Sequence, residues 1–364
     1  AVSGAFRVPL ADLYGTVTFY HHFSRDEVSA ATPRVCTRPV CRQRGAEAVL
    51  NALEDEGAIS IACPGRCDTP VPVIRKDSVE IHTGEGIDDR VSALPIPNPG
   101  GYEECVFAEI REPDRAPIEG YLASGGYTAL GQALGMGSDA IIDTLDASRL
   151  AGKGGAGFPT GRKWRAVRDA PGSPKSVVCN ADEGEPGCFQ DRVLLEHDPH
   201  ALIEGMVIAG FATGAERGFI YLRYEYPRAL KVLEQAVQEA ETAGILGDSV
   251  SGSGHTFRIH IRRGGGAYIC GEETSLLNSL EGKHPYPRNR PPYPVTHGFE
   301  NLPTAVNNVE TLAAVPQILK RGAEWHVCLG LGDHAGTKVI SVSGDIRHPG
   351  NYEVPVGLSL RTLL

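Results

Sequence analysis

Apolar residues recur at helical spacing in several stretches of the chain, and short apolar runs separate them. Over 44–59 Ala46, Val49, Leu50 and Leu53 share one stripe, over 140–150 Ile141, Ile142, Leu145 and Leu150 do, and over 227–243 Leu230, Leu233 and Val237 do, with Gly244 closing the last. The runs 58–62, 71–74, 176–179 and 219–222 are too short for helices and read as buried strands, and alternation over 257–262 marks another. A helix is expected over 272–281, ended by Gly282, and a further one starting near Pro303, with two asparagines in its first turn. Helices alternating with buried strands predict an α/β fold.

A chain of 364 residues can bury a large core and divides into two or three domains. Its 45 acidic residues outweigh 35 Lys and Arg, and the net charge of -10 argues against a general nucleic-acid or anionic-membrane binder. The best apolar run, 206–212, is far too short to cross a bilayer, so no direct membrane insertion is expected. The chain opens at Ala1 without the pattern of a secretory signal, which leads to the expectation of a cytoplasmic protein. Between 77 and 127 it is rich in Pro, Gly and acid, notably over 95–101, where a linker is expected.

Nine cysteines suit free thiols and metal ligands better than a disulfide scaffold. Cys36 and Cys41 form a C-x4-C pair and Cys63 and Cys67 a C-x3-C pair, so two loops can converge on one site. Soft thiolates in tetrahedral geometry suit structural zinc and iron-sulfur clusters alike, and spacing alone leaves both open. His21 and His22 lie nearby, but a complete set of four thiolates makes them packing residues.

Four further clusters carry binding chemistry. The stretch 152–164 fits G-x-G-x-x-G at Gly152, Gly154 and Gly157, whose bare backbone lets amides approach a phosphate. It follows a helical pattern rather than a strand, which excludes an ordinary Rossmann fingerprint. After the strand ending at Cys179 come Asn180, Asp182, Glu183 and Glu185, placed to hydrogen-bond ribose or ribityl hydroxyls or else forming a plain acidic loop. Glycines again follow a strand at 264–266, leading through Tyr268 to Gly271, Glu272 and Glu273 at a helix start, where the acids either serve a ligand or favour the helix dipole. Asn307 and Asn308 either read a ligand or cap a helix.

Taken together these motifs resemble a known family. The order G-K-G-G-A-G-F-P-T-G-R-K-W, C-N-A-D-E-G-E-P-G, G-A-Y-I-C-G-E-E-T and N-N-V-E-T is similar to the FMN- and NADH-binding subunit of respiratory complex I and its soluble relatives. The segments 13–23, 35–41, 45–47 and 62–67 resemble the thioredoxin-like 2Fe-2S subunit of the same complex, with all four cysteine positions matching. The resemblance implies an α/β protein with a helical tail and thioredoxin-like 2Fe-2S domain over 1–82, a linker over 83–125, a Rossmann-like FMN- and NADH-binding domain over 126–330 and, over 331–364, the start of a ubiquitin-like (β-grasp) domain. It assigns Cys36, Cys41, Cys63 and Cys67 to a 2Fe-2S cluster. It assigns Gly152, Gly154, Gly155, Gly157, Lys163, Asn180, Asp182, Glu183, Tyr268, Gly271, Glu272, Glu273, Asn307 and Asn308 to FMN, and Phe158, Glu185, Arg290 and Tyr293 to NAD(H). Phe158 would stack on nicotinamide or adenine.

The chain departs from the family at Lys153, Ala166, Arg290, Tyr293 and Cys188. Only Ala166, where complex I tends to have a second aromatic, weakens a contact. The implied activity is that of a diaphorase subunit, moving a hydride between NAD(H) and FMN and single electrons to iron-sulfur clusters, with no catalytic acid or nucleophile. The fused arrangement points to the beta subunit of a soluble NAD-dependent formate dehydrogenase, working with a molybdenum or tungsten catalytic subunit, or to the diaphorase subunit of an NAD-reducing hydrogenase. Relatives also carry a 4Fe-4S cluster on an S-C-G-x-C-x-x-C segment that is absent from this sequence, so that cluster is expected in a further C-terminal part. The rival reading is a redox scaffold without enzymatic activity, built on a four-thiolate zinc domain.

Overall fold

The structure, a computed structural model, describes residues 4–5, 7–25, 28–29, 31–83, 86–88, 95–97 and 101–364. Near the N-terminus, five short strands form one mixed sheet in the order β2-β1-β3-β4-β5: Arg34–Cys36 (β1), Ile59–Ile61 (β2), Pro72–Arg75 (β3), Ser78–Thr83 (β4) and Gly86–Asp88 (β5). β1 runs parallel to β2 and antiparallel to β3. The helix Ala46–Ala52 covers the sheet, and Val35, Ala46, Leu53, Val71 and Val73 close a small core of their own.

The larger body is built on four parallel strands in the order β8-β7-β6-β9: Lys175–Ala181 (β6), Ala215–Leu222 (β7), Arg258–Arg263 (β8) and Thr304–Asn308 (β9). Val177, Val178 and Cys179 of β6 are fully buried, as a central parallel strand covered on both faces requires. From β6 the chain winds outward to β7 and β8, then returns to lay β9 on the other side of β6. This reversal makes a topological switch point between β6 and β9, and a crevice opens beyond their carboxyl ends.

The helix Pro199–Thr213 is apolar all round and buried along almost its whole length, the pattern of a helix packed within a core. Pro227–Thr242 instead buries one stripe through Ala229, Leu233, Ala236 and Ala240. Residues 303–308, expected to open a helix, make strand β9, and the helix Val309–Arg321 starts only after Asn308. The parallel pairing of Thr304–Asn308 with β6 satisfies that backbone in place of a helical turn.

In the segment expected as a linker, residues 84–85, 89–94 and 98–100 lie outside the described residues. From 101 onward the segment joins the main core through Cys105, Val106, Phe107, Ile110, Ile118 and Tyr121. It is tied to an antiparallel hairpin of Thr337–Val342 (β10) and Gly350–Pro355 (β11), where buried Glu353 accepts the amides of Cys105 at 2.7 Å and Phe107 at 2.7 Å. No described helix is long and apolar enough to cross a membrane.

Candidate functional site

A cleft of about 370 Å³ lies at the switch point. It is walled by Lys153 and Gly154 of the glycine loop, by the 180–191 segment after β6, by Tyr268 to Glu272, and by Asn308 at the end of β9. The loop lies between the helices Ser138–Ala147 and Thr160–Asp169, and Gly152 N–H donates to the Phe158 carbonyl at 2.9 Å to close it. Gly155 at φ +123° and Gly157 at φ +63° hold conformations that a side chain would strain.

The acids of the cleft differ in what they serve. Glu183 is buried, and its carboxylate accepts Gln190 N–H at 2.9 Å, Asp191 N–H at 3.2 Å and the Tyr226 hydroxyl at 2.8 Å, so it caps the helix Gln190–His197. Glu272 caps Glu273–Leu280 by accepting the amides of Thr274 and Ser275, each at 2.9 Å. Asn308 Oδ1 caps Val309–Arg321 through Glu310 N–H at 3.0 Å, while its Nδ2 donates to Asp191 Oδ2 at 2.6 Å. By contrast, Asp182 Oδ2 and Asp191 Oδ1 are enclosed and have no hydrogen-bond partner among the described residues. Burial pushes the Asp182 carboxyl up to about 7 and holds Asp191 well above the usual carboxylate range.

Of the residues expected at a ligand, Gly154, Asn180, Asp182, Glu183, Glu185, Tyr268, Gly271, Glu272 and Asn308 share this cleft. The Tyr268 hydroxyl donates to Glu185 Oε2 at 2.6 Å across its mouth. Phe158 and Tyr293 expose about half of their surfaces, at 46% and 54%. Arg290 pairs with both Glu272 at 3.2 Å and Glu273 at 3.0 Å on the rim. Lys163 and Asn307 face the protein instead: Lys163 Nζ donates to the Val306 carbonyl at 2.8 Å, and Asn307 Oδ1 accepts from Trp164 Nε1 at 3.0 Å. Gly152 and Gly155 border a second cavity of about 350 Å³ behind the loop, beside Arg149, Lys153, His334 and Lys338. The loop thus separates an acidic space from a basic one. Asp191, Gln190, Gly184 and Ile269 also line the cleft and were not expected there. A carboxylate within the run 180–192 was the available signal for Asp191.

Residues with these properties fit a flavin mononucleotide. Enclosed carboxyls at Asp182 and Asp191, raised toward the neutral form by burial, suit a neutral polyol, whose hydroxyls supply the missing partners. A phosphate is compatible with the bare amides of the glycine loop rather than with the acidic wall.

The thiol site lies beside the cleft. Cys36 ends β1, Cys41 sits on the short helix Pro39–Gln43, and Cys63 and Cys67 flank the loop after β2; all four are buried. Contacts run in a chain from Cys41 to Cys36 to Cys63 to Cys67, with 3.5 Å between the last two sulfurs. Cys36 and Cys67 both contact Cys63 and hold its thiol below the ordinary range by hydrogen bonding, so Cys63 lies at the centre of the chain. Among the described residues no three His, Cys, Asp or Glu surround a single ion. A tetrahedral zinc site needs all four sulfurs around one centre, whereas a 2Fe-2S cluster shares four thiolates between two irons, which suits a strung-out quartet. Fully buried Phe189 packs on Cys63 and Cys67, and its neighbour Cys188 lines the cleft, so the two sites share a wall. His22 is packed away from the thiols, stacked on Tyr224 at 3.9 Å and bonded to Glu225 at 3.1 Å.

Comparison with known proteins agrees with this geometry. Residues 145–317 match the family model described as the Nuo51 FMN-binding domain, and residues 1–63 that of the thioredoxin-like [2Fe-2S] ferredoxin. The chain is 49% identical over 264 residues to a NADH-quinone oxidoreductase subunit of Rhizobium meliloti (strain 1021), covering 72% of this chain and 63% of the relative. It is 39% identical over an alignment of 383 residues to the NAD-reducing hydrogenase HoxS subunit alpha of Cupriavidus necator, covering 97% of this chain and 64% of the relative. The crystal structure of an NAD+-reducing [NiFe]-hydrogenase in the air-oxidized state superimposes with a TM-score of 0.80 at 34% identity, over 100% of this chain and 65% of the matched one. The chain thus spans just under two thirds of the length of these proteins.

Proposed function

The chain joins a thioredoxin-like [2Fe-2S] ferredoxin domain to an FMN-binding domain of the Nuo51 type, and from that premise we propose that it is the diaphorase module of a larger redox complex, passing electrons between NAD(H) and iron-sulfur centres. The observation that carries this reading is the shared wall: a cleft with two unpartnered carboxyl oxygens, separated by Cys188 and Phe189 from a buried thiol quartet. FMN bound there would exchange a hydride with NAD(H) and single electrons with the cluster.

The chain's own residues bind and orient. Asp182 and Asp191 hold the polyol beside Asn180, Asn308 orients Asp191, the amides of the 152–157 loop hold the phosphate, and Gly271 leaves the backbone open to the ring. Phe158, Glu185, Tyr268, Arg290 and Tyr293 form the half-open rim that receives the dinucleotide. Glu183, Glu272 and Glu273 fix the helix starts and Arg290 that shape the cleft, and Lys163 and Asn307 brace its floor. Cys36, Cys41, Cys63 and Cys67 ligate the 2Fe-2S cluster.

The expectations of a formate-oxidising and of a hydrogen-oxidising partner differ only outside this chain. Likeness to a hydrogenase subunit along 97% of its length favours the second, with a formate dehydrogenase catalytic subunit as the alternative and a 4Fe-4S cluster in a further C-terminal part. The test is NADH-driven ferricyanide reduction by the purified protein, with the subunits that co-purify identified. Flavin absorbance and turnover support the reading, and a protein without flavin or turnover overturns it. A nickel-iron partner supports the hydrogenase assignment, and a molybdenum or tungsten partner reverses it.

A further inference from the structure

The loop Cys63-Pro-Gly-Arg-Cys67 is bolted to the flavin-binding body by arginines that the proposed chemistry does not yet use. Arg223 follows β7 and is 4% exposed. One of its terminal nitrogens donates to the Cys63 carbonyl at 2.7 Å, the other to the Glu183 carbonyl, and its Nε to Glu225 Oε2 at 3.1 Å. Glu225 is shared with His22, at 3.1 Å, so the carboxylate keeps a partner of its own. Arg192 donates to the Gly65 carbonyl at 2.9 Å and to Asp68 at 2.9 Å, and Arg66 pairs with Glu196 at 2.8 Å. Tyr226 packs so tightly on Gly65 that a Cβ there would collide with its hydroxyl, so only glycine lets the loop reach this surface. Burying three guanidinium groups against one metal loop is expensive unless they are paired and bonded. Docking alone does not need it: Arg263, pairing with Asp77 at 3.1 Å and with the Tyr224 carbonyl at 2.7 Å, joins the same two bodies at a more exposed place.

We propose that Arg223 is a positioning residue for electron transfer, one guanidinium fixing the cleft wall at Glu183 to the cluster loop at Cys63, while its buried charge raises the cluster's midpoint potential. The inference rests on the diaphorase reading. The step it serves adds one electron to the thiolate-held cluster, drawn from the hydride pair that NADH brings to the cleft. NADH becomes NAD+ as it gives up two electrons and one proton, the proton goes to water, and the cluster takes the electrons one at a time, handing the first to the next redox centre of the complex before the second arrives; no bond to a protein atom forms or breaks. A reduced cluster carries one more negative charge, so a buried guanidinium bonded to the carbonyl of Cys63 favours reduction, its field lessened by the Glu225 carboxylate that it also bonds. Because the same group holds both carbonyls, the separation of donor and acceptor is set by one rigid planar fork rather than by two independent loops.

The test is an EPR-monitored redox titration of the purified holoprotein carrying Arg223→Gln. We expect the full 2Fe-2S signal with its midpoint lowered, so that the ratio of reduced to oxidised cluster at a fixed poise falls about tenfold, about 59 mV for one electron. Arg223→Lys, which keeps the charge, stays close to the wild-type midpoint, and Arg263→Gln leaves the midpoint where it was. Should Arg223→Gln not fold, Arg223→Gln with Glu225→Gln removes the leftover carboxylate, and a smaller shift of the same sign is expected. An intact cluster at the wild-type midpoint in Arg223→Gln, or an equal shift in Arg263→Gln, overturns the inference and leaves the diaphorase reading standing. A wild-type protein with iron absent and no 2Fe-2S signal overturns that reading itself.

Discussion

In the thiol site, four donors come from two short loops and chiefly contact one another. In the cleft the polar groups come from four distant segments, and Glu183, Glu272 and Asn308 each serve a helix N-terminus before any ligand arrives. Among the described acids of the cleft, only Asp182 and Asp191 keep an enclosed oxygen open. The contrast separates two kinds of residue that one motif mixes together: those that make the shape of a cleft and those that complete a ligand.

Breaking the thiol site has the largest expected effect. Cys63→Ser removes the thiol at the centre of the contact chain and should abolish the 2Fe-2S signal while leaving bound flavin, read by iron analysis and absorbance; retention of a full cluster would remove Cys63 from the ligand set. Next comes Asp182→Ala, which takes away a group with an open oxygen. FMN affinity should fall roughly 5- to 150-fold, the equivalent of about 1–3 kcal/mol for leaving a buried hydroxyl without its partner, with the melting point of the flavin-free protein hardly lowered.

Glu183→Gln should behave the other way round. Losing a helix cap costs about 1–2 kcal/mol, so the flavin-free protein should melt roughly 2–8 °C lower, while flavin affinity changes less than in Asp182→Ala. Equal losses of affinity in the two variants would erase the distinction between shaping and ligand-completing acids. The last effect is on pH dependence. The Asp182 carboxyl is raised from the ordinary carboxylate range to about 7, so its favourable contribution is full below about pH 4 and fades as pH rises through 7. In flavin-free protein, Asp182→Asn should therefore gain on the wild type between pH 4 and 7 in thermal melts, and a constant difference across that window would refute the raised carboxyl.

Much of this was legible in the sequence, for reasons that are local. The glycine loop keeps bare backbone wherever it folds, and the helix before it is written in Ile141, Ile142 and Leu145. The strand before Asn180 shows in its unbroken apolar run, and the cysteine pairs show in their spacing. What escaped depends on contacts distant in sequence. Thr304–Asn308 became a strand because β6 offered it a parallel partner, which no spacing within those residues records. The 101–125 segment entered the core because Glu353, more than two hundred residues away, takes its amides. Asp191 is one acid in the run after the strand, and only the fold brings Asn308 against it. Lys163 and Asn307 carry ligand-binding groups but turn them toward the Val306 carbonyl and Trp164.

One wall joins the flavin cleft to the two-iron site. Titration of the purified protein with NADH under anaerobic conditions, followed by absorbance and EPR in the same sample, tests it most directly. The account predicts bleaching of bound flavin together with a reduced 2Fe-2S signal that disappears in Cys63→Ser. Flavin that bleaches with no cluster signal, in a protein holding stoichiometric zinc at the thiols, would contradict it.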